Sequence, residues 1–512
     1  MTAPEPVTPG APATEPGPVA GEAIAGAPAA EHRLHPMSWL FVLLQQLKQF
    51  IAPLIALLVF GQGDRNELWP LIGVGVLALT SLWQYFTYRY GVADDSLVVR
   101  SGLLERSLRV IPFSRIHNVA LQQSMLHRVF GVAEVRLESA GGRKPEAQMR
   151  VLRLDDALAL ESLIRRRGIT TADVAAGAEA APPLLSLPTA EVVRLGLVSN
   201  RGLIVVGAAV AGVSQMTPRA LPNLFEQWGE RAFGWAMQGE ASLSTYALGA
   251  ASLFVLAVLA LRLLSIVLAL LQYSGFRLSE HGRRLTVEHG LLARWRTSAS
   301  RRRIQAFTLR EGVMHRMLGR RSLEVDTAVA EDQQQQRALR ELAPIATPEA
   351  CGALITHLLP HSDWHALDWQ SLPPHAWRLW MPDALLTVLA SAVLGWYLGS
   401  WGALVLAWLP VSWFAARARA QRAGYAVNPA IVAVREGWWS RYWRFAEIDK
   451  LQSLQLTRSP LDRRCGTATL WLDTAGAGAF APPLRIRFMP ETQARALHAS
   501  LAQMLAKRPL RW

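Results

Sequence analysis

Cysteine and charged residues are both scarce in this chain of 512 residues. The only two cysteines, Cys351 and Cys465, lie far apart and without metal-ligand spacing, which excludes a disulfide framework and a cysteine-based zinc site. Charged residues make up 18% of the chain, whereas an average soluble protein carries about a quarter. Because hydrophobic residues reach 51%, part of the chain is expected to lie in a lipid bilayer.

Motifs that carry catalysis are also missing. The sequence has no Gly-rich phosphate loop, no Walker motif and no serine-nucleophile elbow. Its twelve histidines form no His-x-x-x-His pair on a predicted helix. We therefore expect no enzymatic activity, no bound metal and no cofactor.

The N-terminal segment contrasts with the basic remainder of the chain. Residues 1–31 are rich in Ala, Pro, Gly and Glu and contain no Lys or Arg. A signal peptide needs a basic start and an apolar run, and neither is present. This composition instead predicts a disordered tail over residues 1–35.

Six apolar segments follow, and they come in three pairs. A membrane-spanning helix needs roughly 20 mostly apolar residues. The pairs are predicted over residues 36–88, 202–273 and 381–415. Their members are Trp39–Phe60 with Trp69–Tyr88, Gly202–Met216 with Thr245–Tyr273, and Met381–Gly399 with Trp401–Ala415.

The distribution of basic residues predicts the orientation in the membrane. Lys and Arg outnumber Asp and Glu in the three long segments after the pairs, and they are nearly absent from the connections within each pair. By the positive-inside rule, the long segments and both termini are expected to face the cytoplasm of a multi-pass membrane protein. Because topology accounts for the net charge of +14, we do not expect nucleic-acid binding.

An internal repeat is the most specific signal in the sequence. When three glycines, Gly102, Gly290 and Gly437, are taken as origins, the later landmarks coincide without a gap. The landmarks are Ile116, Ile304 and Leu451, then Arg128, Arg316 and Arg463, then Gly131, Gly319 and Gly466, and finally Glu138, Asp326 and Asp473. The six glycines are therefore predicted to be structural residues of three equivalent units.

Each unit is predicted to be a small β-rich domain. Short β-branched runs end at the origin glycine, as at a hairpin turn, and later runs alternate apolar and polar residues. An amphipathic helix closes each unit. The domains are predicted over residues 89–168, 274–360 and 416–512, with linkers at 169–201 and 361–380.

These motifs resemble the bacterial pleckstrin-homology-like domain of YdbS/YdbT-type membrane proteins. The resemblance rests on Gly102-Leu-Leu, Ile111-Pro-Phe and Arg128-Val-Phe-Gly in the first unit, and it weakens in the third, where Gly437-Trp-Trp replaces Gly-Leu-Leu. It implies a strongly bent sheet of about seven strands capped by the C-terminal helix, in the three-copy YdbT layout, and a location in the bacterial inner (plasma) membrane. The whole chain is thus expected to be an α+β membrane protein with six transmembrane helices, each pair followed by such a domain.

Two sets of charged residues are candidates for contact with lipid or a partner. The run Arg301, Arg302 and Arg303 could bind a phosphate or an anionic head group, or simply be a solvated, topology-setting charge run. Lys48, Arg262 and Asp383 lie inside predicted helices, where charges are costly. Arg262 and Asp383 could pair, or the charges could line a polar cavity that admits a lipid head group. Alternatively, Lys48 and Arg262 could snorkel to the cytoplasmic interface.

The expected function is a non-catalytic scaffold or binding protein. Three cytoplasmic domains beneath the bilayer would be presented to membrane lipid head groups or to a membrane or cytoplasmic protein, such as a single-copy YdbS-type protein, with envelope stress or resistance as a setting. The alternative is lipid handling or small-molecule transport by the six-helix region. The sequence does not specify the oligomeric state.

Overall fold

The computed structural model describes most of the three repeated units and part of the membrane region. The described residues are 32–33, 35–44, 46–47, 68–93, 95–102, 107–113, 116–139, 147–167, 182–216, 226–227, 230–231, 243–327, 340–373, 376, 378, 382–399, 408–475 and 481–507.

Over the described residues, each unit contains seven strands, in a group of four and a group of three. Domain 1 has β1 His32–Arg33, β2 Arg89–Val92, β3 Ser96–Ser101, β4 Ser107–Pro112, β5 Ile116–Gln123, β6 Val132–Ser139 and β7 Ala147–Arg153. Domain 2 has β8 Leu185–Ser186, β9 Arg277–His281, β10 Arg284–His289, β11 Arg294–Ser300, β12 Ile304–Glu311, β13 Arg321–Thr327 and β14 Glu341–Ala346. Domain 3 has β15 Gln370–Ser371, β16 Gly424–Val427, β17 Ile431–Glu436, β18 Arg441–Glu447, β19 Leu451–Thr457, β20 Thr467–Thr474 and β21 Arg485–Pro490.

The helices fall into three kinds. Helices of the membrane region are α1 Leu68–Thr87, α4 Thr189–Val198, α5 Arg201–Met216, α6 Leu243–Tyr273, α9 Pro382–Leu398 and α10 Trp408–Arg422. Short helices between the fifth and sixth strands are α2 Met125–Val129, α7 Val313–Met317 and α11 Pro460–Cys465. The closing helices are α3 Leu154–Arg167, α8 Pro348–Leu358 and α12 Glu491–Ala506.

The first strand of every domain comes before the helices of the membrane region, and the second strand comes after them. His32 pairs with Tyr90, Leu185 with Leu278, and Gln370 with Tyr425. The segments that the sequence suggested as a tail and two linkers therefore end in, or contain, a strand of the following domain. These strands are two residues long, too short for any hydrophobic period to mark them.

Sheets are shared between neighbouring domains. The last three strands of domain 1 continue into the first four of domain 2 through a β5–β11 pair, and domains 2 and 3 are joined in the same way through β12–β18. Leu121 stands opposite Arg296 in the first junction, and Leu309 stands opposite Trp443 in the second. Counted from the origin glycines, these are equivalent positions, so the two junctions have the same register.

The hydrophobic core of each domain lies between its two groups of strands and its closing helix. In domain 1, buried Leu97 and Ile111 come from the first group, Val135 and Met149 from the second, and Ile164 from α3. The core of domain 2 extends into domain 3, where Phe307 and Phe445 stack with ring centroids 5.3 Å apart. The seven-strand fold with a closing helix is the expected one, although its sheets are not confined to single domains.

The membrane region is less complete than the sequence predicted. Among the described residues, one helix, Ala247–Tyr273, is long and apolar enough to cross a bilayer. Thr189–Val198 and Arg201–Gly212 would together form a second, bent by 53°. Ile72–Thr87 and Thr387–Tyr397 are apolar but shorter, and most of the first predicted helix lies outside the described residues. Three pairs of spanning helices are therefore not established.

Candidate membrane-facing surface

The glycine turns of domains 2 and 3 lie against the ends of membrane-region helices. The backbone N–H of Gly290 donates to the Ser274 carbonyl at 2.9 Å, and that of Leu291 donates to the Leu271 carbonyl at 3.0 Å, at the end of α6. In domain 3 the ring of Trp438 packs edge-on against Phe414 of α10, with centroids 5.4 Å apart. One end of domain 2 and one end of domain 3 are thereby placed at the level where a helix leaves the apolar region.

Exposed apolar side chains gather at this end, on the turns and on the short helices α2, α7 and α11. We call them the apolar rim. Its members are Met125, Leu126, Val129, Phe130, Leu291, Leu292, Met314, Met317, Trp439 and Leu461. Val129 is 76% exposed and Met317 74%, values that are unfavourable in water but suited to the bilayer interface. Basic residues flank the rim at the end of α10, where Arg417 lies over the ring of Trp413.

The repeated arginines on the short helices connect one domain to the next. Arg128 of domain 1 donates to the Leu291 carbonyl of domain 2 at 2.7 Å, and Arg316 of domain 2 donates to the Trp439 carbonyl of domain 3 at 3.3 Å. The third member of the series, Arg463, lies exposed on the last domain. The repeat identified these arginines as landmarks, and the structure shows that two of them bridge domain junctions at the rim.

Ion pairs between domains reinforce both junctions. Arg444 of β18 lies 2.7 Å from the Asp326 carboxylate of domain 2 and donates to the Thr308 hydroxyl at 2.9 Å. At the first junction, Arg296 lies 3.5 Å from Glu161 of helix α3. Sequence reasoning missed these pairs, because their partners belong to different repeats and become neighbours only when the sheets are shared.

The six repeat glycines all have positive φ. Gly290 has φ of 115° and Gly437 has φ of 95°, and a Cβ at either position would lie about 2 Å from the carbonyl oxygen of Ala293 or Ser440. Gly131, Gly319 and Gly466 have φ between 62° and 65°, the left-handed conformation that ends the short helices. At Gly290 and Gly437, a side chain would clash with a carbonyl oxygen of the same turn, which accounts for the glycine at these equivalent positions.

The basic run of domain 2 lies away from the rim. Residues Arg301–Arg303 form a single turn at the end of β11 opposite to the Gly290 turn, about 20 Å along the strand at ~3.3 Å per residue. Arg301 donates to the carbonyls of His357 and Leu358 at the end of α8, and the Arg302 carbonyl accepts from Lys450 at 2.8 Å. These contacts give part of the run a structural role in joining elements.

The intramembrane charges are only partly described. Arg262 of α6 donates to the carbonyls of Leu197 and Ser199, at 2.9 and 3.2 Å, where the bend between α4 and α5 frees them from helical partners. Asp383 is the second residue of α9, and its side chain lies outside the described residues, as does Lys48. The Arg262–Asp383 pair stays a prediction, whereas helix-end capping by Arg262 is observed.

Within the part of the chain that the structure describes, no three His, Cys, Asp or Glu residues come close enough to hold a metal ion. The apolar rim itself offers exposed apolar side chains flanked by arginines, which suit contact with an apolar or interfacial surface.

The fold, the repeat and the family match together define the class. The bacterial PH domain model matches residues 40–168, 239–354 and 384–505, and the chain belongs to this family. The matched segments coincide closely with the three domains, each taken with the helix that precedes its second strand.

A curated relative is the UPF0699 transmembrane protein YdbT of Bacillus subtilis (strain 168), which is 21% identical over 338 residues. The alignment covers 61% of this chain and 66% of the relative, slightly under two thirds of its length. No solved structure matches the chain significantly. The protein is thus similar to a bacterial transmembrane protein.

Proposed function

We propose that this protein is a non-catalytic scaffold of the bacterial plasma membrane, whose three PH-like domains form one continuous row beneath the bilayer. The observation that carries the proposal is the repeated junction, in which two domain pairs share sheets in the same register. Flexibly tethered domains would not need such junctions. A row held by strand pairing presents its binding surfaces at fixed spacings, to protein partners or to lipid head groups.

The inserted helices support a multi-pass topology. Strand pairing holds both ends of each insert against the same domain, as Ser186 and Arg277 show on either side of α4–α6. A segment whose two ends stay on one side of a bilayer crosses it an even number of times. With the basic surplus of the domains, this favours three helix pairs and a cytoplasmic row.

Lipid contact at the apolar rim is the first property to test. Nitroxide labels at Val129→Cys and Met317→Cys, each in a Cys465→Ser background, are expected to be more accessible to oxygen than to a water-soluble nickel reagent in reconstituted vesicles. The matched control is Arg302→Cys, an exposed residue at the far end of a domain. If the rim labels were as accessible to the nickel reagent as the control, the membrane-facing arrangement would be wrong.

The preference for anionic lipid can be tested separately from the contact of the apolar rim with the bilayer. Arg417 is exposed in the last turns of α10, where an arginine near the surface contributes about 1 kcal/mol to attraction by anionic lipids. We expect Arg417→Gln to reduce the anionic lipid that stays bound to the purified protein in native mass spectrometry. Arg302→Gln should have no effect, and equal retention in the two variants would argue against head-group binding here.

A further inference from the structure

The row of domains has two ends, and each end carries one half of a junction. Among the described residues, β4 of domain 1 is the last strand of its sheet, and so is β19 of domain 3. By position in the repeat, β4 corresponds to β11 and β18, and β19 corresponds to β5 and β12. The two terminal edges are therefore the complementary halves of the contact that the chain forms twice internally.

The side chains at the terminal edges fit this contact. On β4, Leu108 is 53% exposed and Val110 is 50% exposed. The residues that correspond to Val110 within the internal junctions are Ser298, which is 2% exposed, and Phe445, which is fully buried. On β19, Leu454 and Leu456 are half-buried, and their counterparts in β5 and β12 are buried. Transferring the internal register places Leu456 opposite Leu108 and Leu454 opposite Val110.

The charges at the terminal edges are complementary as well. Arg109 of β4 occupies the position of Arg444, and Asp473 of β20 occupies the position of Asp326. The internal pair is buried at 2.7 Å, whereas Arg109 and Asp473 are both exposed at opposite ends of the row. Arg463 likewise occupies the position from which Arg128 and Arg316 bridge the internal junctions.

We propose that β19 of one copy pairs with β4 of a second copy of this chain, in the register of the internal junctions. This inference goes beyond the proposed function, since it concerns how rows join and not what they present. The contact is heterologous, so repeated addition gives a ring if the rotation closes and a filament if it does not. Membrane anchoring favours it, because copies already share one orientation and diffuse in one plane.

The test uses two differently tagged copies in a Cys465→Ser background, each with one introduced cysteine, Leu108→Cys or Leu456→Cys, beside the buried Cys351. Mild oxidation of membranes containing both is expected to give a disulfide-linked dimer that bears both tags. The matched control replaces Leu456→Cys with Gln452→Cys on the same strand, four residues or about 13 Å out of register. A mixed dimer with Leu456→Cys and none with Gln452→Cys would support the proposal, whereas equal yields or no dimer would overturn it.

Charge exchange at the exposed residues Arg109 and Asp473 provides a second measurement. Arg109→Asp or Asp473→Arg alone is expected to shift the native mass in detergent towards a single copy, and the double variant should restore the larger species. A wild-type protein that is a single copy at all concentrations would overturn the proposal. The proposal would also be overturned if a single-domain protein of the same family, and not a second copy of this chain, were found bound to the β4 and β19 edges.

Discussion

Arg444 and Asp326 form an ion pair across a domain boundary, with 2.7 Å between guanidinium nitrogen and carboxylate oxygen and with 1% and 6% of their side chains exposed. One belongs to the first strand group of domain 3 and the other to the second group of domain 2. A buried charge that loses its partner is costly, so this pair makes the correct assembly of two domains a condition for the stability of both.

Removal of one member of this pair should destabilise domains 2 and 3 together. We expect Arg444→Met to cost about 3–5 kcal/mol, because it leaves the Asp326 carboxylate buried and uncompensated. Thermal unfolding of the purified protein checks this. The control is Arg495→Ala, which breaks a largely exposed ion pair with Glu491 and should cost under about 1 kcal/mol. Similar losses in the two variants would contradict the role of the junction.

The Gly290 turn should not accept a side chain. In Gly290→Ala the new Cβ would lie 1.9 Å from the Ala293 carbonyl oxygen at a φ of 115°, so the turn must deform where it contacts the end of α6. We expect a loss of about 1–3 kcal/mol or more in the free energy of unfolding. Gly282→Ala is the control, since its φ is also positive but nothing lies within 4 Å. Gly282→Ala should lose less free energy of unfolding than Gly290→Ala.

Glu436 should make stability depend on pH. Burial raises the pKa of its carboxyl, although the Tyr442 hydroxyl, which donates to it at 2.6 Å, and the charge of Arg487 act in the opposite direction. A folded-state pKa above the unfolded value means that stability is fully present below about 4.5 and declines as the pH rises through the folded pKa. Glu436→Gln should therefore melt higher than wild type at pH 7, with the difference vanishing near pH 4. A constant difference across this range would count against the assignment.

The two cysteines should differ in reactivity. Burial raises the pKa of the Cys351 thiol to about 12, and its side chain is 1% exposed, whereas Cys465 is half-buried on α11. Because the thiolate is the reactive form, a maleimide at pH 7.5 should modify Cys465 and spare Cys351 in the folded protein. Intact mass should show one adduct, and two after denaturation. Two adducts in the folded state would mean that the domain 2 core opens readily.

The sequence predicted the individual domain better than its assembly. Landmarks such as Gly102 and Gly131 recur at fixed spacing because the turns they form need a positive φ. Such local requirements can be recognised in a single sequence. The pairing of β5 with β11 is not visible, because an edge strand does not specify its partner by composition. The correspondence of Arg109 with Arg444 and of Asp473 with Asp326 was present in the repeat, but it gained meaning only when the sheets were found to be shared.

The lipid or partner contacts predicted from the sequence stay predictions, and the structure adds the surroundings of two of the candidates. Arg301–Arg303 was a candidate because it is a run of positive charge. The run follows the end of β11 that is away from the apolar rim, and the sequence alone does not show this position. The sequence places Arg262 as a charge inside an apolar helix. Its use, to satisfy carbonyls at the bend between α4 and α5, depends on a helix break that hydropathy does not show.

The position of each first strand also determines the order of events during synthesis. A ribosome makes Leu185–Ser186 before the entire helix-bearing insert and makes β9 only after it. The emerging strand must therefore remain unpaired while the insert is synthesised, and the domain can close only when the second strand follows. Completion of each domain thus requires that the two ends of its insert come together at the paired strands.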